Sequence, residues 1–240
     1  MSQVICLWSS PRNISTALMY SFAQRKDVKV LDEPFYAYYL THVNSKINHP
    51  GKKEILESQP TSLDEVLNKI NSLKKDFKII FIKNMTHHLK GVNLSFANSW
   101  SNIILTRNPQ SAMISFSKVI QNPTMDDLGY ELQYLLASSF KKKSIKFKII
   151  SSEELLKNPK EVLIKMCGFF NISFDSKMLS WKKGGIVEDG VWAPYWYGNV
   201  HNSEGFSPYT GKFENDIPSN QHNLLEKALY YYQKLMSFLD

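Results

Sequence analysis

The 240-residue chain is poor in cysteine, with two, and that scarcity excludes a disulfide framework and a cysteine-built metal site. Cys6 and Cys167 both fall in apolar runs and read as buried thiols. No stretch approaches the eighteen consecutive apolar residues of a membrane-spanning helix. The first residues lack a basic segment followed by an apolar stretch and a small-residue cleavage site, so a cytoplasmic setting is expected. Repeats, low-complexity segments and linkers are missing too, which favours one domain over 1–240. The phosphate-binding pattern G-x-x-x-x-G-K-[ST] is absent. No constellation for pyridoxal phosphate is visible, and the adjacent histidines have no partner at metal-ligand spacing.

What is there is an ordinary core composition, 43% hydrophobic and 13% aromatic, under a formal net charge of +7. The excess positive charge favours anionic partners. The lysines are scattered and their densest run, 141–143, is short, which fits a local anion site better than a nucleic-acid groove. Short β-branched runs at 4–7, 28–31, 79–82, 103–105 and 147–150 alternate with helical spacing at 15–24, 63–73, 110–118, 125–140 and 159–170. That alternation predicts a three-layer α/β/α fold with a central parallel sheet, whose ligands bind at the carboxyl ends of the strands. From 175 to 221 Gly, Pro, Trp and Tyr crowd together, as in a segment folded over a site, and 224–239 reads as a last helix.

The first strand runs into a helix through LWSSPRNISTALMYSF. Unpaired amides at a helix start, with the permanent charge of Arg12 and the hydroxyls of Ser15 and Thr16, have the logic of an anion-binding turn. A second strand-to-helix turn, in SNIILTRNPQSAMISFSK, carries Arg107, then Pro109 at the first helical position, then Ser115 eight residues beyond the arginine.

Together these segments resemble the sulfotransferases that use 3′-phosphoadenylyl sulfate (PAPS). In that family P-[KR]-S-G-T-[ST] cradles the 5′-phosphosulfate, and R-D-P-x-x-x-x-x-S binds the 3′-phosphate. The corresponding residues here are Arg12, Asn13, Ile14, Ser15 and Thr16, then Arg107 and Ser115. Asn13 replaces a serine, Asn108 an aspartate, and Ile14 a glycine, so the loop is expected not to use glycine-only conformations at that point. Ala17 stands where many members carry an adenine-stacking tryptophan. Lys182, Lys183 and Gly184, ahead of Asp189-Gly190-Val191-Trp192, resemble the family's nucleotide-closing loop with its order scrambled. The resemblance implies a P-loop-like fold and sulfuryl transfer from PAPS to a small-molecule acceptor, a mechanism that requires no metal; the scattered lysines and the lack of long apolar runs add the expectations of no nucleic acid and no membrane insertion.

Removal of the acceptor proton needs a base, and developing charge needs a cation. Glu33, twenty-one residues after Arg12, resembles the proposed base of some members. Its neighbour Asp32 should point the other way if the segment is extended. Lys83 at the third strand end fits the cationic role. His87 and His88, in the ordinary pKa range for a base, compete with Glu33. Tyr195, Trp196 and Tyr197 are expected to wall the acceptor pocket. A P-loop kinase using ATP and Mg²⁺, a nucleotide-binding protein without catalysis, and a nucleic-acid binder are the alternatives.

Overall fold

A computed structural model describes residues 2–43, 49–117, 120, 122–208 and 217–239. Five strands, β1 (Gln3–Ser9), β2 (Val28–Asp32), β3 (Ile79–Met85), β4 (Ser101–Thr106) and β5 (Phe147–Ser151), form one parallel sheet in the order β2-β3-β1-β4-β5. All five were foreseen, because a strand covered on both faces reads as a continuous β-branched run. The central strand β1 is paired on both sides: Gln3 faces Ile79 of β3, and Ile5 faces Ser101 of β4.

Among the described residues the α-helices are α1 (Ser15–Ala23), α2 (Tyr36–His42), α3 (Lys52–Ser58), α4 (Leu63–Leu73), α5 (Pro109–Ser117), α6 (Met125–Leu128), α7 (Tyr130–Lys142), α8 (Ser152–Lys157), α9 (Pro159–Phe169), α10 (Ala193–Trp196), α11 (Gly198–His201) and α12 (His222–Met236). Side chains alternate across the sheet. Ile5, Leu7, Phe81 and Ile103 therefore pack in the core with Leu18, Phe22 and Leu163. Cys6, Trp8, Ile80 and Ile104 pack on the other face with Val66, Ile70 and Phe140. Cys6 and Cys167 are buried and free, as expected.

The helix expected over 125–140 is two helices. Gly129 takes a left-handed φ of 74° between them, and Thr124 and Asp127 close a capping box at the start of α6. Lys118, at the end of the stretch expected to continue α5, and residues 209–216 of the aromatic segment lie outside the described residues. The final helix starts two residues earlier than expected and ends at Met236.

Candidate active site

The turn after β1 is clamped from several sides. Asn13 Nδ2 donates to the Leu105 carbonyl at 2.6 Å, and Ser152 Oγ donates to the Asn13 carbonyl at 2.7 Å. Arg107 donates to the Arg12 carbonyl at 2.7 Å. These ties hold the backbone where most L-residues avoid going: Arg12 and Ile14 both have φ of 63°. The expectation for Ile14 is therefore corrected. The loop keeps the left-handed conformation that the family glycine would supply, in a β-branched residue, because the surrounding hydrogen bonds over-determine it. Ile14 is the N-cap of α1 and offers no side-chain cap, so the first-turn amides are left for a ligand.

The sequence reading gave Arg12 and the Arg107–Ser115 pair to different phosphates. In the fold the Arg12 Nε donates to Ser115 Oγ at 3.0 Å, so the three converge. Burial, and then the neighbouring Arg107 cation, lower the Arg12 guanidinium from its ordinary value. The closest carboxylate contact recorded for either arginine, among the described residues, is Glu153 Oε1 at 4.0 Å from Arg107 Nε. Two partly buried cations side by side make a place for a multiply charged anion.

Glu33, Lys83, His87 and His88 line the same cavity of about 700 Å³ as Arg12, Arg107 and Ser115. Asp32 does not turn away from Glu33 as expected. Glu33 leaves the strand with φ of 40°, and this departure from extended backbone brings both carboxylates onto Lys83. Lys83 Nζ lies 2.9 Å from Asp32 Oδ1, 2.6 Å from Glu33 Oε1 and 2.5 Å from the Tyr197 hydroxyl. Its three protons are thus committed within the protein, whereas the sequence reading had it offset developing charge on the transferred group. Burial would pull the Lys83 ammonium down, but Asp32 and Glu33 outweigh it and hold the pKa above the ordinary value. Burial pushes the Glu33 carboxyl up, Lys83 opposes this, and Asp32 adds to it.

The histidines lose their expected advantage as bases. Burial, with His49 adding to it, lowers His87 to about 3. His88 is pushed well below its ordinary value, again chiefly by burial, and its ring stacks on Tyr36 and Tyr39 with centroids 4.5 and 4.9 Å away. His88 Nε2 lies 3.8 Å from Glu33 Oε2. His49, given no role from the sequence, also lines the cavity and shares a 2.8 Å hydrogen bond with the Tyr36 hydroxyl. No motif spacing points to it.

The closing side of the cavity is built by residues other than those expected. Lys182 and Lys183 are exposed, Lys183 lies 3.8 Å from Glu204, and the Gly184 amide donates to His201. None of the three lines the cavity; the wall comes from Trp192, Trp196, Tyr197, Val200 and Phe206. The tether is Asp189, which accepts from Tyr20 at 2.6 Å and from the Ile186 amide, and draws the chain past the lysine pair. Of the three aromatics expected on the wall, Trp196 and Tyr197 are there, while Tyr195 is 52% exposed.

Comparison with known proteins gives the family and the fold. The family model described as Sulfotransferase domain matches residues 3–238. Branched-chain-amino-acid aminotransferase-like proteins 1 and 2 of Arabidopsis thaliana are 35% and 36% identical over 98% and 97% of this chain. The chain spans 42% and 41% of the length of these two curated relatives. Among solved structures, a sulfotransferase from Alicyclobacillus acidocaldarius superposes with TM-score 0.58 at 11% identity, covering 100% of this chain and 96% of that one. The sulfotransferase domain from the curacin biosynthetic pathway gives TM-score 0.56 at 16% identity, covering 96% and 98%. With the family model covering nearly its whole length, this chain belongs to the sulfotransferase domain family.

Proposed function

We propose that the protein transfers a sulfuryl group from PAPS to a hydroxyl or amine of a small-molecule acceptor. The observation that carries this reading is the meeting of Arg12, Arg107 and Ser115 in one cavity with Glu33. Arg12, the first-turn amides of α1, Ser15 and Thr16 would hold the 5′-phosphosulfate, and Arg107 and Ser115 the 3′-phosphate. The charge that gathers on the leaving phosphate falls to the two guanidiniums and the loop amides. Lys83, already engaged by its two carboxylates, orients the base instead of meeting the sulfuryl oxygens. The acceptor atom attacks sulfur, the bond from sulfur to the phosphate oxygen breaks, and the acceptor proton passes to Glu33. A pKa raised by burial suits a carboxylate for that task.

Titration calorimetry should show adenosine 3′,5′-bisphosphate binding more tightly than ATP; tighter ATP binding would return the protein to the kinase reading. A panel of alcohols, phenols and amines supplied with PAPS should then reveal turnover. Glu33→Gln should cut it by about 10²–10⁴-fold with bisphosphate affinity nearly intact. Normal turnover by that variant, with a dead His87→Ala or His88→Ala, would move the base to the histidine.

A further inference from the structure

Asp32 stands behind the cavity lining, against Lys83 and Tyr197, which do line it, and the mechanism above does not use it. Its side chain is 1% exposed at the end of β2. It accepts from Lys83 at 2.9 Å, from the Tyr197 hydroxyl at 2.7 Å and from the Gly190 amide at 3.0 Å. Two of those donors come from the closing segment, more than 150 residues along the chain. Around these two donors the described chain forms just the four-residue helices α10 and α11, too short to hold their own conformation. Gly190 fits the same arrangement. A Cβ there would meet the Trp192 ring at 2.2 Å, and Trp192 in turn donates to the Tyr197 hydroxyl at 2.9 Å.

The charge balance gives Asp32 a second task. Two carboxylates share the single ammonium of Lys83. Glu33 gives that ammonium Oε1 only, and among the described residues no hydrogen bond to its Oε2 is recorded. The groups facing Glu33 are Asp32, Lys83, His88 of the turn after β3, Tyr36 of α2 and Tyr197 of the closing segment. Among these described groups the charged ones are Asp32 and Lys83, since burial lowers His88 well below its ordinary value. Without Asp32, Lys83 would have one anionic partner and would bind Glu33 more strongly.

We propose that Asp32 is a positioning residue that couples the seating of residues 190–197 to the chemistry: it holds them through Gly190 and Tyr197 and takes a share of Lys83, leaving Glu33 Oε2 open to the cavity. The proposal rests on Glu33 being the base. It differs from a merely structural role because it ties one carboxylate to the protonation of another.

Asp32→Asn keeps the shape and removes the charge. The Glu33 carboxyl is followed in the whole protein by infrared titration, using the band that Glu33→Gln abolishes. Its midpoint should move to lower pH by about one unit in Asp32→Asn. Amide exchange at Gly190 and its neighbours up to 197 should quicken by about tenfold or more. An unmoved midpoint or unchanged exchange overturns the proposal. If Asp32→Asn does not fold, Tyr197→Phe leaves the Asp32–Lys83 pair intact and removes one of the segment's two ties, the hydroxyl one. Exchange over 190–197 should again quicken, and unchanged exchange overturns the coupling. Both readouts are independent of turnover. An inactive wild type with both expected results would count against sulfuryl transfer, not against the Asp32 tie. Where turnover is found, the acid limb of kcat in Asp32→Asn should follow the infrared midpoint.

Discussion

Ile14 holds a conformation that costs an L-residue about 1–2 kcal/mol, and its side chain partly repays this against the larger core cluster. The usual order of small replacements should therefore invert. Ile14→Ala loses the contact and keeps the strain; Ile14→Gly loses both. In urea denaturation Ile14→Gly should exceed Ile14→Ala in stability by about 1 kcal/mol, and the normal order, alanine above glycine, would show that the strain is illusory. The arginines give a second residue-scale expectation. Arg107→Ala should weaken adenosine 3′,5′-bisphosphate binding by about 2–3 kcal/mol, the scale of charge-assisted hydrogen bonds. Adenosine 5′-phosphate should lose less, since it lacks the 3′ group. Arg12→Ala should impair both ligands, because that side chain stands between the loop and Ser115. Equal losses for the two ligands in Arg107→Ala would remove its assignment to the 3′ side.

At the scale of elements, Gly129 shows how one residue divides a helix. Its φ of 74° separates α6 from α7, and a Cβ there would approach Ser10 Cβ to 3.4 Å. Gly129→Ala should cost about 1–2 kcal/mol in chemical denaturation, although alanine would be the better residue were 125–140 one helix; a gain in stability would refute this account. The same comparison explains what the sequence makes legible. The strands and the helices that flank the sheet follow from period and β-branching alone. Helix α2 does not: Tyr36, Ala37, Tyr39 and Leu40 are all buried, so its run of aromatics lacks a polar face. Helix α3 buries only Ile55 and is too short for a period to register. At the site, the meeting of Arg12, Arg107, Ser115 and Glu33 in one cavity is foreseeable because each sits just after a strand end or, for Ser115, on the helix that follows, a local pattern. The contact between Asp32 and Tyr197 is hidden for two reasons: a left-handed φ at Glu33 overrides strand alternation, and the contact joins residues 165 apart.

For the whole molecule, the histidine cluster sets an acid limit. His87 is lowered to about 3 and His49 to about 4, each mainly by burial. The folded state keeps these rings neutral, while the unfolded chain protonates them below about 6.5. Stability is then complete above that pH and declines as the pH falls toward the folded values. His87 alone should account for up to about 2 kcal/mol lost between pH 7 and pH 5. Denaturant titrations at the two pH values should show a smaller loss in His87→Gln, and an equal loss would mean that this ring is protonated in the folded protein. The parallel sheet has a further consequence, in time instead of energy. β1 lies at its centre, yet Gln3 finds its partner at Ile79 and Ile5 at Ser101. No hairpin nucleates such a strand, and both long loops must close before it is covered. Refolding in a stopped-flow mixer should fall in the slow range, milliseconds to seconds, and higher protein concentration should lower the recovered yield as waiting β1 segments meet one another.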